Sequence, residues 1–250
     1  MIFNNSYSTN LLAEGVKSMK AQNSADRRSL VTMFLDYYDG DNTNQYIQDK
    51  FDINNFREVP CMSFNITKRL IDKMSRTYQL PPNRTLASGN DQYKNLSRFK
   101  NYKMGHVERM TNLLGTVALQ ITMSENMGEP VFKYEPILYF DVTTSEMNPL
   151  EITSIQYPIF NNVDDASQGN EKLTFAYFDN EKYMVLDNED NVIVDEPNPY
   201  GRIPFVFINR QHLLDSVFSA GAYDIVSCNE MLNILFTELN LGLRFQLFGQ

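Results

Sequence analysis

Two histidines, two cysteines and a few acidic turns are the residues in this chain whose chemistry has to be weighed first. His106 and His212 lie in different segments with no cysteine nearby, so the ligand spacing of a zinc site is not spelled out. Each reads as a surface or helix-end residue. Cys61 and Cys228 are far apart and belong to no C-x-x-C pattern. Two such residues cannot build a disulfide scaffold, and they read as buried free thiols. The acidic run Asp187-Asn188-Glu189-Asp190-Asn191 invites a calcium reading. An EF-hand loop, however, needs glycine at its sixth position and glutamate at its twelfth, where this chain has Val192 and Asn198. A solvated hairpin turn is the simpler reading. Asp36, Asp39 and Asp41 flank Gly40 in what looks like a helix-ending turn. There is no G-x-x-x-x-G-K phosphate loop, no dinucleotide glycine fingerprint and no G-x-S-x-G elbow. The sequence therefore nominates no catalytic, cofactor-binding or metal-ligating residue, and no cofactor. Carboxylates that meet only in space stay invisible in a sequence.

Charge narrows the classes further. The 250 residues carry 22 basic and 31 acidic side chains, a net charge of −9. Proteins that grip DNA usually show the opposite sign, because their affinity comes from neutralising phosphates. A surface that DNA passes without sticking remains compatible. One stretch runs against the balance: Lys94, Arg98, Lys100, Lys103 and Arg109 interleave with Tyr93, Phe99 and Tyr102. Cations alternating with aromatic rings suit single-stranded nucleic acid. An amphipathic helix with a solvated cationic face is the plainer reading, and a subunit contact with acidic neighbours lies between the two. The N-terminus lacks the basic flank and apolar core of a signal peptide. No apolar run approaches the ~20 residues of a membrane span, so the expected compartment is a reducing cytoplasm.

The elements that would position these residues follow from periodicity. Residues 1–24 are polar and weakly patterned, with a possible helix over Leu11–Met19. Ser24 can cap a helix over Ala25–Tyr38 whose stripe is Leu30, Met33, Phe34 and Tyr37, ended by Gly40. A helical piece near Gln45–Phe51 comes next. Phe64–Leu80 then predicts a strong helix with Ile66, Leu70, Ile71, Met74 and Tyr78 on one face, stopped by Pro81-Pro82. The basic stretch Asp91–Leu114 completes the helical part.

At Gly115 the period changes to alternation. Thr116–Thr122 predicts a strand, Ser124–Glu129 a turn and Val131–Tyr134 the returning strand. Ile137–Val142 and Ile152–Phe160 are further strands, and Asn161–Asn170 is a polar loop. Leu173–Phe178, Tyr183–Leu186 and Val192–Val194 form a meander, and Phe205–Ile208 is a last short strand. Met104, Met110 and Met123 read as core filling. The fold class is α+β: a helical N-terminal part over 1–114, an antiparallel β block over 115–210 and a long C-terminal helix within 211–250.

That last helix carries the longest pattern in the chain. From Ser216 to Phe248, Ile225, Met231, Leu232, Leu235, Leu239 and Leu243 recur at helical steps. Asn233, Thr237 and Glu238 fall among its polar remainder, while Phe236, Phe245, Leu247 and Phe248 lie off the main stripe. A helix apolar on several faces needs cover on several sides.

A resemblance joins these pieces. Tyr37-Tyr38-Asp39-Gly40, the exit Ser75-Arg76-Thr77-Tyr78-Gln79-Leu80-Pro81-Pro82, and Leu113-Leu114-Gly115-Thr116-Val117-Ala118 come first. The corner Asn198-Pro199-Tyr200-Gly201-Arg202-Ile203-Pro204 follows, and after it Asp215, Tyr223-Asp224, Asn229 and Asn233. In order and spacing this resembles the N-terminal wing of tailed-bacteriophage portal proteins, the head-to-tail connectors, over most of residues 30–250. The resemblance implies a structural virion protein, not an enzyme, forming a closed ring of usually about twelve subunits at one capsid vertex. Double-stranded DNA is packaged through such a ring by a terminase motor and ejected through it, without specific binding. Its implied partners are copies of itself, the capsid protein, the terminase and a head-tail adaptor, with no membrane involved. By the same likeness 1–250 is one wing-type region, with stem, clip and crown expected beyond residue 250. The basic helix over Asp91–Arg109 and the acidic faces elsewhere are the candidate complementary ring surfaces. The alternatives are a head-completion or adaptor protein, which the strand-rich middle disfavours, a hydrolase with a site not visible in sequence, and a non-viral interaction module.

Overall fold

The computed structural model describes residues 26–51, 61–80, 100–126, 129–159, 174–187, 191–212 and 214–248. The predicted helix at Leu11–Met19, the cap at Ser24, the loop 161–170, the prolines at 81–82 and the residues 91–99 lie outside them. Among the described residues the chain is α+β, with the helices leading, two antiparallel sheets in the middle and a long helix last.

Helix α1 covers 26–39. It ends because Gly40 takes φ +87°, the left-handed conformation glycine adopts at no steric cost, while its N–H closes on the Asp36 carbonyl at 2.8 Å. Its buried residues are Val31, Phe34, Tyr37 and Tyr38, so the inward face is rotated from the expected stripe and Leu30 is exposed. Helix α2 (Thr43–Gln48) is short and buries Ile47. Helix α3 (Ile66–Met74) begins where the Asn65 side chain accepts the Lys68 N–H at 2.9 Å. It stops six residues before the predicted Leu80. The Ser75 hydroxyl donates to the Ile71 carbonyl, and the N–H groups of Thr77 and Tyr78 turn to the Glu108 carboxylate at 3.0 and 3.3 Å. A carboxylate from the next helix replaces the carbonyls that would have continued the turn. The inward face of α3 is Thr67, Ile71 and Ser75, which leaves Leu70 and Met74 exposed.

Helix α4 (Lys100–Leu114) runs into the first strand through Gly115, whose φ is +87°. A Cβ there would lie 2.2 Å from the Ser219 carbonyl oxygen, so both backbone conformation and space demand glycine. Strand β1 (Thr116–Asn126) pairs with β2 (Glu129–Ile137) on one side and β8 (Phe205–Asn209) on the other, antiparallel throughout. The predicted turn at Ser124–Glu129 is shorter than expected: pairing continues to Asn126 opposite Glu129. The predicted strand Ile137–Val142 is in fact two elements, because β2 ends at Ile137 and β3 (Asp141–Thr144) belongs to the second sheet. That sheet is a meander of β3, β4 (Ile152–Ile159), β5 (Thr174–Asp179), β6 (Lys182–Leu186) and β7 (Val192–Pro197).

Two cores result, and β1 serves both. Successive side chains of a strand point to opposite faces, so Val117 and Leu119 join the helical core with Phe34, Tyr37, Ile71, Val107 and Leu113. Ala118 faces the other way, into the core of Phe140, Ile155, Tyr157, Ala176 and Phe178. Arg27 ties the two halves. Its guanidinium lies over the rings of Phe140 (4.9 Å) and Phe218 (4.2 Å) and 3.3 Å from the Asp141 carboxylate.

The last helix, α5, covers Tyr223–Phe248, 26 residues, or about 39 Å at ~1.5 Å per residue. It starts seven residues later than predicted. Between 216 and 222 the backbone is claimed by other elements: Ser219 N–H donates to the Thr116 hydroxyl at 2.8 Å and Ala222 N–H to the Leu113 carbonyl at 2.8 Å. Those bonds take the place of helical ones.

Candidate functional site

Helix α5 shows two faces, and it is the polar one that is buried. Its inward face is Val226, Asn229, Asn233 and Thr237, each at most 1% exposed. Of the predicted apolar stripe, Ile225 packs at the edge of the helical core, whereas Met231, Leu235, Leu239 and Leu243 are exposed by 48–64%, as is Leu247 beside them by 72%. No residue from Glu238 to Leu247 is buried.

The polar face is held by an extended segment, 61–65, that leads into α3. Met62 N–H donates to the Thr237 hydroxyl at 3.1 Å, Phe64 N–H to Asn233 Oδ1 at 2.9 Å and Ile66 N–H to Asn229 Oδ1 at 3.4 Å. Alternate N–H groups of an extended chain point the same way and recur every ~6.7 Å. Residues four apart on a helix recur every ~6.0 Å. The two repeats match to within about 0.7 Å per step when the segment runs antiparallel to the helix. A polar i, i+4, i+8 row can therefore receive three backbone donors in succession. The Thr237 hydroxyl in turn donates to the Asn233 carbonyl at 2.9 Å, and the Phe64 ring packs edge-on to Phe236 at 5.1 Å. The amide Nδ2 atoms of Asn229 and Asn233 are buried without a partner. By periodicity Asn233 and Thr237 belong to the polar remainder of the helix, with no side assigned. The signal available was their spacing with Asn229, which periodicity alone reads as a polar face.

The Asn198 corner is likewise a structural device. Asn198 Nδ2 donates to the carbonyls of Asp179 (2.7 Å) and Arg202 (2.9 Å), and Oδ1 accepts the Tyr200 N–H at 3.0 Å. Gly201, at φ +60°, completes the turn into β8. One buried asparagine thus pins the corner to the β5–β6 hairpin.

The other sequence candidates are dispersed. Asp187 closes its own turn, accepting the Asn191 N–H at 2.8 Å and the Asn191 amide at 2.9 Å. Asp36 accepts the Tyr46 hydroxyl at 2.6 Å, and Asp72 the Tyr38 hydroxyl at 2.7 Å. Both tyrosines are pushed up to about 12, by burial first and then by these carboxylates. His106 sits partly buried inside α4 rather than at a helix end; burial first, and then Arg109, lowers its pKa. His212 is exposed. The thiols depart from expectation, since Cys61 is partly buried and Cys228 is exposed on the outward side of α5. Met110 is core, Met104 packs at its edge, and Met123 is exposed. In the basic helix, Lys103 is engaged within the chain, donating to the Tyr134 carbonyl at 2.9 Å and to Glu135 at 3.0 Å. Arg109 lies 4.0 Å from Asp72. Tyr102 is 83% exposed. Among the described residues, no group of three or more His, Cys, Asp or Glu side chains could hold a metal ion. None of the described helices is long and apolar enough to cross a membrane.

Compared with models of known protein families and with curated proteins, the sequence matches none.

Proposed function

We propose that this chain is a structural subunit that works by shape, a portal-type wedge whose copies close around a passage for double-stranded DNA at a capsid vertex. The observation that carries the reading is the uncovered leucine row of α5. A helix that turns asparagine and threonine inward, and leucine outward along most of its length, is built to be covered by something else. Large exposed apolar surfaces on otherwise well-packed proteins mark interaction sites. The acidic balance of −9 supports a passage that phosphate does not adhere to. Asn65, Asp187, Asn198, Asn229, Asn233 and Thr237 are spent on caps, turns and inter-element bonds, which suits a rigid part rather than a reaction centre.

In such a part the Arg27 clamp and the two-sided β1 would hold the helical half rigid against the β half. A load applied to one would then reach the other without a hinge. An adaptor protein is a weaker fit, because two antiparallel sheets make up the middle of this chain. Mass photometry and negative-stain imaging of the purified protein test the reading. Closed rings with an axial hole are expected. A protein that stays monomeric at high concentration refutes it.

A further inference from the structure

The leucine row of α5 has a matching surface elsewhere on the same chain. Met231, Leu235, Leu239 and Leu243 stand four residues apart, forming the i±4 ridge that packs between the ridges of another helix. The charged residues on this outward side are acidic, Asp224 and Glu238, and the one cation of the helix, Arg244, comes only afterwards. Helix α3 offers the converse. Leu70 and Met74, also four apart, are exposed, and beside them stand the exposed cations Arg69 and Lys73. Neither cation has an ion pair among the described residues. In a chain of net −9 such an outward cationic face stands out. Of the cations expected to do this work, Lys103 and Arg109 on α4 are engaged within the chain.

We infer that α3 of a second copy covers the leucine row of α5, with Leu70 and Met74 set between the leucines and Arg69 and Lys73 facing Asp224 and Glu238. This rests on the ring reading above and gives that ring its contact. Two i±4 ridges cross at about −50° and touch over only a couple of turns, so the nine residues of α3 are long enough. The two faces differ, so the contact repeats head to tail, as a closing ring requires.

The 250-residue chain serves for the test, with assembly read by mass photometry and burial of the row read by the reactivity of exposed Cys228 toward a thiol reagent. Wild type is expected to assemble and to protect Cys228. Leu235→Asp, a surface change that leaves the folded circular dichroism intact, should abolish both. Arg69→Glu with Lys73→Glu should weaken assembly about tenfold or more, as should Asp224→Lys with Glu238→Lys. Combining the two pairs should restore it. Rings that form and survive Leu235→Asp would overturn this contact and leave the ring reading standing. A wild type that never assembles would overturn both. A cationic-face variant that assembles normally but loses retention on double-stranded DNA would reassign α3 to phosphate and overturn the contact.

Discussion

Thr237→Val removes one hydroxyl and leaves the volume of the side chain almost unchanged, so it isolates the seam between α5 and segment 61–65. The hydroxyl accepts the Met62 N–H at 3.1 Å and donates to the Asn233 carbonyl at 2.9 Å, in a side chain with no exposure. Each net hydrogen bond is worth about 0.5–1.5 kcal/mol. The methyl that replaces the hydroxyl returns up to about 0.8 kcal/mol of burial. Met62 itself is partly exposed, so water recovers some of the cost at its amide. The expected loss is about 1–2 kcal/mol, or a Tm lowered by about 3–6 °C for a chain of this length. Thermal unfolding gives that figure, but hydrogen exchange gives the sharper result. The Met62 amide should lose protection in Thr237→Val and keep it in Thr237→Ser, while the Phe64 amide, held by Asn233, changes little. An unchanged Met62 exchange rate in Thr237→Val would show that the seam does not bind the segment, and the inward assignment of the polar face would fall with it.

Other outcomes test other joints. Gly115→Ala combines a left-handed φ with a Cβ 2.2 Å from the Ser219 oxygen; a cost of at least ~2 kcal/mol is expected, read from the urea midpoint. Arg27→Lys should lose about 1–2 kcal/mol, because an ammonium cannot lie flat over the Phe140 and Phe218 rings as a planar guanidinium does; full stability in the lysine variant would show the clamp to be idle. Tyr38, Tyr46 and Tyr157 are each pushed from 10.0 up to about 12, chiefly by burial, so the folded state holds their protons more tightly than the unfolded state does. The stability they contribute is complete below about pH 10 and is lost as pH rises toward about 12. Urea midpoints should fall across that window, with tyrosinate absorbance rising together with unfolding rather than before it.

Much of the fold was legible because it is written locally. The change of period at Gly115 and the meander turns are patterns of adjacent residues, and two bonds of the Asn198 corner, to Tyr200 and Arg202, are local as well. Their boundaries moved where a distant group intervened. The Glu108 carboxylate shortened α3, and the first residue of β1 held back the start of α5. The candidate site was legible only in part. Residue spacing established that α5 is a helix with one leucine row and one asparagine–threonine row. It could not say which row faces in, since a polar row is a normal outer face unless something donates to it. That donor is the backbone of residues 62–66, more than 160 positions away in the chain, and any sequence in extended conformation carries the same N–H groups. The amino-acid order by itself therefore determined the elements, their order and the two contrasting rows. Tertiary structure alone decided the orientation of the helix, because the match between a strand repeat and a helix repeat exists only once the two lie side by side.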